Sequence, residues 1–292
     1  MHQFLRAVGF SELNNKKELR ELLYSVIEGS DTINNIDTDR NSVIVEYTKQ
    51  FAGPCGLYVR AEIDEEKNLV VDYYYPYLNA KTCSTCEDLS VERHAANESF
   101  AGICEDVRVG ASIIFFLQNG VEYMKQYAKR QFEKSGNMVY LAGLSTNGTI
   151  LLPIKKNAKE LQKVKQVSNE RKAKLVAARE GNEEAIEKLT LEDIDTYSAI
   201  SKRIQKEDIY TLVDSYFMPY GIECDQYSVL AEIEECNMYH NYITDEEIYV
   251  LTLNMNEMKF DVCINKKDLL GEPEIGRRFK GSILLQGRVE FE

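Results

Sequence analysis

The chain has 292 residues, a length that suggests two domains, and 44% hydrophobic against 28% charged residues, the balance of an ordinary soluble globular protein. Its 35 basic and 48 acidic residues leave a net charge of −13, which repels phosphate backbones and argues against broad nucleic-acid binding. Seven cysteines, an odd number spread along the chain, do not read as a disulfide scaffold and point to reduced thiols in a cytoplasm. Met1–Phe10 is too short and too soon charged for a signal peptide, and the longest apolar run, Ala111–Leu117, is too short to span a bilayer.

Phe4–Phe10 is a short apolar opening. Leu19, Leu22, Leu23, Val26 and Ile27 then predict a helix over Lys16–Glu28, stopped by Gly29. Asp31–Asn41 reads as a polar connection. Alternation at Val43, Val45 and Tyr47 predicts a strand, and a second at Leu57, Val59, Ala61 and Ile63 follows the break at 53–56. Leu69–Tyr77 returns after a turn at Asp64–Asn68. Tyr73, Tyr75 and Tyr77 share one face of that strand, read as core in preference to an exposed stacking surface. Lys81–Gly102 is expected to be irregular or weakly helical. Val107–Leu117 is apolar at successive positions and predicts a central, covered strand. A helix is predicted over Val121–Phe132. Met138–Leu144 and Thr149–Ile154 flank Ser145–Gly148, where Asn147-Gly148 reads as a hairpin turn.

From Lys155 to about Arg203 the pattern is helical, split at Gly181-Asn182, with a further helix starting at Thr190. Ile194, Tyr197 and Ile204 give that helix a partial apolar stripe. Ile209, Leu212, Val213, Tyr216 and Phe217 then fall at helical spacing before Pro219 and Gly221. Alternation resumes at Val229–Ile233, Phe260–Ile264 and Phe279–Leu285. The expected fold class is α+β. Residues 1–154 form a mainly antiparallel sheet with helices on one side. Residues 155–205 form a helical connector, basic in its first half. Residues 206–292 form a helix with a small, barrel-like antiparallel sheet, complete enough in apolar pattern to fold alone.

Three constellations carry possible chemistry. Cys83 and Cys86, three apart in a C-x-x-C, have the spacing of thiols that share a metal or a redox cycle. His94 and Cys104 are the nearest further ligands, but C-x2-C-x7-H-x9-C is not a zinc spacing, so no metal is expected and loop cysteines are the plainer reading. His94 is also a possible general base, against the more common half-buried histidine. Arg277, Arg278 and Lys280 form a basic spot, either an anion or partner contact or a solvated strand face. Lys155–Lys174 has eight basic and two acidic residues, hence +6, against −13 for the whole chain. It reads as a solvated linker helix, with self-association or an acidic protein partner as the alternative. No phosphate loop, dinucleotide fingerprint or hydrolase elbow is present, and no cofactor is expected.

The runs SVERHA from Ser90, IIFFLQNG from Ile113, LTLEDIDTY from Leu189, YFMPYGIECDQYS from Tyr216 and CINKKDLLGEPEIGRRFKG from Cys263 resemble an uncharacterised bacterial domain-of-unknown-function family of Firmicutes, over nearly the whole chain. The resemblance implies a bacterial, intracellular, soluble protein and assigns no activity. From the residues themselves, the leading expectation is a non-catalytic binding or regulatory protein. The alternative is an enzyme with a site near Cys83–His94.

Overall fold

The computed structural model describes residues 2–38, 42–93, 99–106, 108–154, 170–171, 173–178, 181–204, 208–221 and 225–291. It is a mixed α+β protein. A short 3-10 helix, η1 (Gln3–Val8), precedes α1 (Lys16–Glu28), whose cap is Asn15 accepting from Glu18 N. Four antiparallel strands follow in sequence order: β1 (Thr32–Asp37), β2 (Val43–Ala52), β3 (Cys55–Ile63) and β4 (Leu69–Leu78). β1 occupies what reads in sequence as a polar connection. It is an edge strand with mostly exposed residues, so it carries no apolar alternation to see.

The second sheet has ten strands. β5 (Leu89–Arg93), β6 (Phe100–Asp106) and β7 (Ala111–Leu117) form its outer arm. β5 and the start of β6 lie where irregular chain is expected. β7 buries Ile113, Phe115 and Leu117 and half-buries the residues between, so it is covered on both faces. After α2 (Gly120–Ala128) comes β8 (Met138–Leu151), one strand of 14 residues. The expected hairpin at 145–148 is not there. Ser145 and Asn147 pair with the consecutive residues Ile283 and Ser282, and Thr146 between them is an unpaired bulge. The turn-forming residues serve that bulge. Gly148 is needed for space: a Cβ there would lie 2.5 Å from the Phe279 ring.

Residues 170–171 and 173–178 are helical. Gly181, at φ +85°, ends that stretch, and Asn182 Oδ1 accepts from Ala185 N at 3.1 Å to start α3 (Glu183–Ile204). Thr190 does not begin a helix. It sits inside α3 and its Oγ1 donates to the Ile186 carbonyl at 2.8 Å. Ile194, the one described side chain of the predicted stripe, is 57% exposed. Residues 205–207 lie outside the described set, and α4 (Ile209–Leu212) is a single turn. The predicted helix through Phe217 is therefore corrected: Val213 is extended, and β9 (Tyr216–Pro219) follows. Two tertiary interactions override the helical spacing. Arg278 draws the carbonyls of Tyr210 and Val213 to itself, and Phe217 pairs with Val229. Phe217 is buried all the same, against Tyr227 and Phe260.

β10 (Gln226–His240), β11 (Glu247–Met255), β12 (Met258–Asn265), η2 (Lys266–Asp268), β13 (Leu269–Leu270) and β14 (Arg278–Glu290) complete the chain. Their pairings close a ring. β8 pairs β12 in parallel, β12 pairs β11, β11 pairs β10, β10 pairs β14, and β14 pairs β8 along its whole length. One apolar core contains the inward residues of these strands, among them Leu141, Ala231, Leu253, Val262, Phe279 and Ile283. The other core joins α1, η1 and one face of the four-stranded sheet to Ala142, Leu144, Ile248, Val250 and Cys263 of the ring strands. The ten-stranded sheet thus contains both β8, which precedes residue 155, and β9, which follows residue 208. Gln118 and Gln286 tie the two sheets together. Gln118 Nε2 donates to the Leu78 carbonyl and to Gln286 Oε1, and Gln286 Nε2 donates to the Pro76 carbonyl.

Candidate functional site

A cleft of about 320 Å³ opens beside η1. His2, Arg6, Phe10 and Ser11 line it, together with Thr146, the bulged residue of β8. η1 is held by its C-terminal turn. Gly9 adopts φ +92°, where a Cβ would meet Asn241 at 2.8 Å. Asn241 Nδ2 donates to the Val8 carbonyl at 3.0 Å and Thr244 Oγ1 to the Gly9 carbonyl at 2.6 Å. These bonds satisfy the helix end and fix the wall of the cleft.

A charged network stands behind that wall. The Arg6 guanidinium grips Asp268 through both of its carboxylate oxygens, Nε to Oδ2 at 2.6 Å. Glu246 Oε1 accepts from Ser11 Oγ at 2.6 Å and Lys267 Nζ at 3.1 Å; Oε2 accepts from Asn265 Nδ2 at 2.6 Å and Ser11 N at 3.2 Å. Burial pushes the Glu246 carboxyl up, but these donors outweigh it and hold the group below the usual carboxylate range. Hydrogen bonds to Glu246 and Glu12 raise Lys267, so both ions keep their charge near neutral pH. A general base works best with its pKa near the working pH. Glu246 is displaced in the wrong direction to take the Ser11 proton, and the network orders the wall. His2 differs. Burial pushes its imidazole down to about 4, so it is neutral at pH 7, and its buried Nδ1 has no hydrogen-bond partner among the described residues.

Among the described residues one carboxylate is displaced toward neutrality, Glu46 on β2, raised to about 7 chiefly by burial. It faces Arg60 of β3 across the sheet and accepts from the Val121 amide at the start of α2. Glu46 is 3% and Arg60 1% exposed, so this pair is sealed from substrate. Arg60 Nη1 donates to Tyr73 Oη at 3.0 Å. Tyr75 is buried, its ring 4.7 Å from Tyr58 and 4.6 Å from Phe116, which makes the tyrosine face of β4 core.

The residues singled out in sequence lie elsewhere. Cys83 and Cys86 are in contact, Sγ to Sγ 3.7 Å, on a loop bridged to β8 through Thr85 and Val139. Cys104 is buried on β6 and its thiol is pushed up to about 12 by burial. His94 lies outside the described residues. Among the described residues no group of three or more His, Cys, Asp or Glu is placed to hold a metal ion.

The three basic residues near 278 are already engaged. Arg277 pairs with Glu274 at 2.8 Å, and Lys280 sits over the Tyr210 ring at 4.3 Å. Arg278, 7% exposed, donates to the carbonyls of Leu152, Val213 and Tyr210 at 2.8–3.1 Å, binding the returning chain to β14. Lysine cannot reproduce that fork, so Arg278→Lys is expected to lower stability by about 1.5–3 kcal/mol in urea denaturation. A loss under half a kcal/mol would show the fork to be dispensable.

Of the basic run 155–174, residues 155–169 and 172 lie outside the described set. Arg171 pairs with Asp193 at 2.7 Å and Lys174 with Glu192, both on α3. Sequence reasoning missed the cleft because its parts are distant: residues 2–13, one bulged residue at 146, and a supporting network at 246–268. The one local signal was Asn147-Gly148, which marks a backbone irregularity without saying which kind.

Fold and site together define a mixed α+β protein with a closed five-strand ring and a small polar cleft between η1 and β8. Residues 5–287 match the family described as "Domain of unknown function, E. rectale Gene description (DUF3881)", and the chain belongs to that family. Comparison with curated proteins and with solved structures gave no match. Among the described residues no helix is long and apolar enough to cross a membrane.

Proposed function

We propose that this is a non-catalytic binding protein that takes a small polar ligand in the cleft beside η1. The observation that carries the reading is the composition of the cleft: the polar side chains of His2, Arg6 and Ser11 line it together with a bulged strand residue, Thr146. Bulges commonly re-aim a side chain toward a site. A volume near 320 Å³ suits a small molecule. Support for binding over catalysis comes from the charges. The carboxylate beside Ser11 is held ionised, and the carboxylate tuned toward neutrality is buried elsewhere. The six described cysteines are free thiols, which supports a reducing, cytoplasmic setting.

The test is ligand-observed NMR with a panel of small polar metabolites, on the wild type and on Thr146→Trp, which fills the cleft from the β8 side. Saturation transfer to one chemical class should appear in the wild type and fall at least tenfold in the variant, with an unchanged amide spectrum elsewhere. Transfer that survives the substitution would move the site away from the cleft. Conversion of a panel compound to product would favour an enzyme instead.

A further inference from the structure

We infer that Cys83 and Cys86 form a reversible two-electron thiol–disulfide site, oxidised by exchange with a low-molecular-weight disulfide. The geometry carries the inference. The two sulfurs are 3.7 Å apart, and a disulfide needs about 2 Å, a difference that side-chain rotation covers with little backbone movement. The backbone between them is fixed already. Ser84 N and Thr85 N donate to the Val139 carbonyl, Val139 N donates to the Thr85 carbonyl, and Leu141 N donates to Ser84 Oγ. Arg108 Nη2, itself held by Asp106, donates to the Ser84 carbonyl at 2.6 Å. The loop is therefore tied to β8 through both residues that lie between the two cysteines. Cys86 is exposed and Cys83 half-buried, so an exchange partner meets Cys86 first.

The chemistry balances within the pair and one small disulfide. The Cys86 thiolate attacks one sulfur of the small disulfide, breaks its S–S bond and releases one thiol. The Cys83 sulfur then loses its proton to solvent and attacks Cys86 Sγ, and the second small thiol leaves. Two protein thiols are oxidised and one small disulfide is reduced to two thiols. Burial and the contact with Cys86 push the Cys83 thiol up to about 11, which leaves the first attack to Cys86. The site is independent of the proposed ligand cleft and shares no residue with it.

The experiment equilibrates the full chain with mixtures of reduced and oxidised glutathione, quenches in acid, alkylates free thiols and maps them by mass spectrometry. The expected wild-type product is lighter by two hydrogens, with residues 83 and 86 both protected and buried Cys55 and Cys263 still alkylated after unfolding. Added dithiol should restore both sites. Cys83→Ser should stop at a glutathione adduct on Cys86, and Cys86→Ser should leave Cys83 at least tenfold less reactive. Wild type that shows no internal disulfide at any glutathione ratio, or that accumulates the mixed disulfide, would overturn the inference. First modification at Cys83 would overturn the assigned order.

Discussion

A fragment of residues 192–292 is expected to show no cooperative unfolding transition on heating. Its apolar pattern looks complete in sequence, but the ring it belongs to lacks one stave. β8 lies beside β14 from Met138 opposite Glu290 to Leu151 opposite Arg278, and beside β12 at residues 142–145. Removing it leaves the edge of β14 and a four-residue edge of β12 unpaired and opens the face carrying Phe279, Ile283 and Leu285 to water. Open edges and an uncovered core favour a compact, loosely packed or aggregating state. The measurement is a thermal melt followed by near-ultraviolet circular dichroism, with binding of an apolar dye. A broad trace with strong dye binding is expected for the fragment, against a single sharp transition for the full chain. A sharp transition in the fragment with little dye binding would mean that β9–β14 close a core without β8.

Stability should also fall as pH rises from about 4.5 toward 7, by about 3 kcal/mol from one group, Glu46. Its ordinary value is 4.5, and burial in the folded protein raises it to about 7. Below 4.5 both states carry the proton and the contribution is fully present. Between the two values the native state holds a proton that the unfolded chain has released, so each step upward in pH costs stability. Above about 7 both states are ionised and nothing further is lost. Asp106 and Glu246 work in the opposite sense, since both are held below the ordinary range, and their contributions fade only as the solution becomes acid. Urea denaturation of the wild type and Glu46→Gln at several pH values separates the two effects. Subtracting one curve from the other should leave a slope confined to the window between 4.5 and 7. The absolute stability of the variant is not the readout, because glutamine also removes the negative partner of Arg60. A difference curve that is flat across the window would show that Glu46 is ionised throughout.

Much of the secondary structure was legible from local pattern. The stripe Leu19–Ile27 is α1, and the alternations at Val43–Tyr47, Leu57–Ile63, Val229–Ile233, Phe260–Ile264 and Phe279–Leu285 are strands with those residues inward. Gly181-Asn182 is a helix stop and start. These features depend on neighbours within a few residues, and the period of the side chains reports them directly. The α+β class follows from the same patterns.

Other features depend on partners far along the chain. Ile209–Phe217 has helical spacing, but Arg278 and Val229 take its carbonyls and its last residues into other arrangements. Asn147-Gly148 is compatible with a turn or with a bulge, and the unbroken ladder with β14 selects the bulge. Alternation says which face of a strand is apolar, but not which strand lies beside it. The closure of the ring through β8, and with it the union of segments on either side of the connector, was therefore set by tertiary pairing alone. The cleft has the same origin. Composition determined that this chain is acidic, with a net charge of −13. Only the packing of η1 against a bulge some 140 residues later created a cavity, because a concave surface belongs to no single segment.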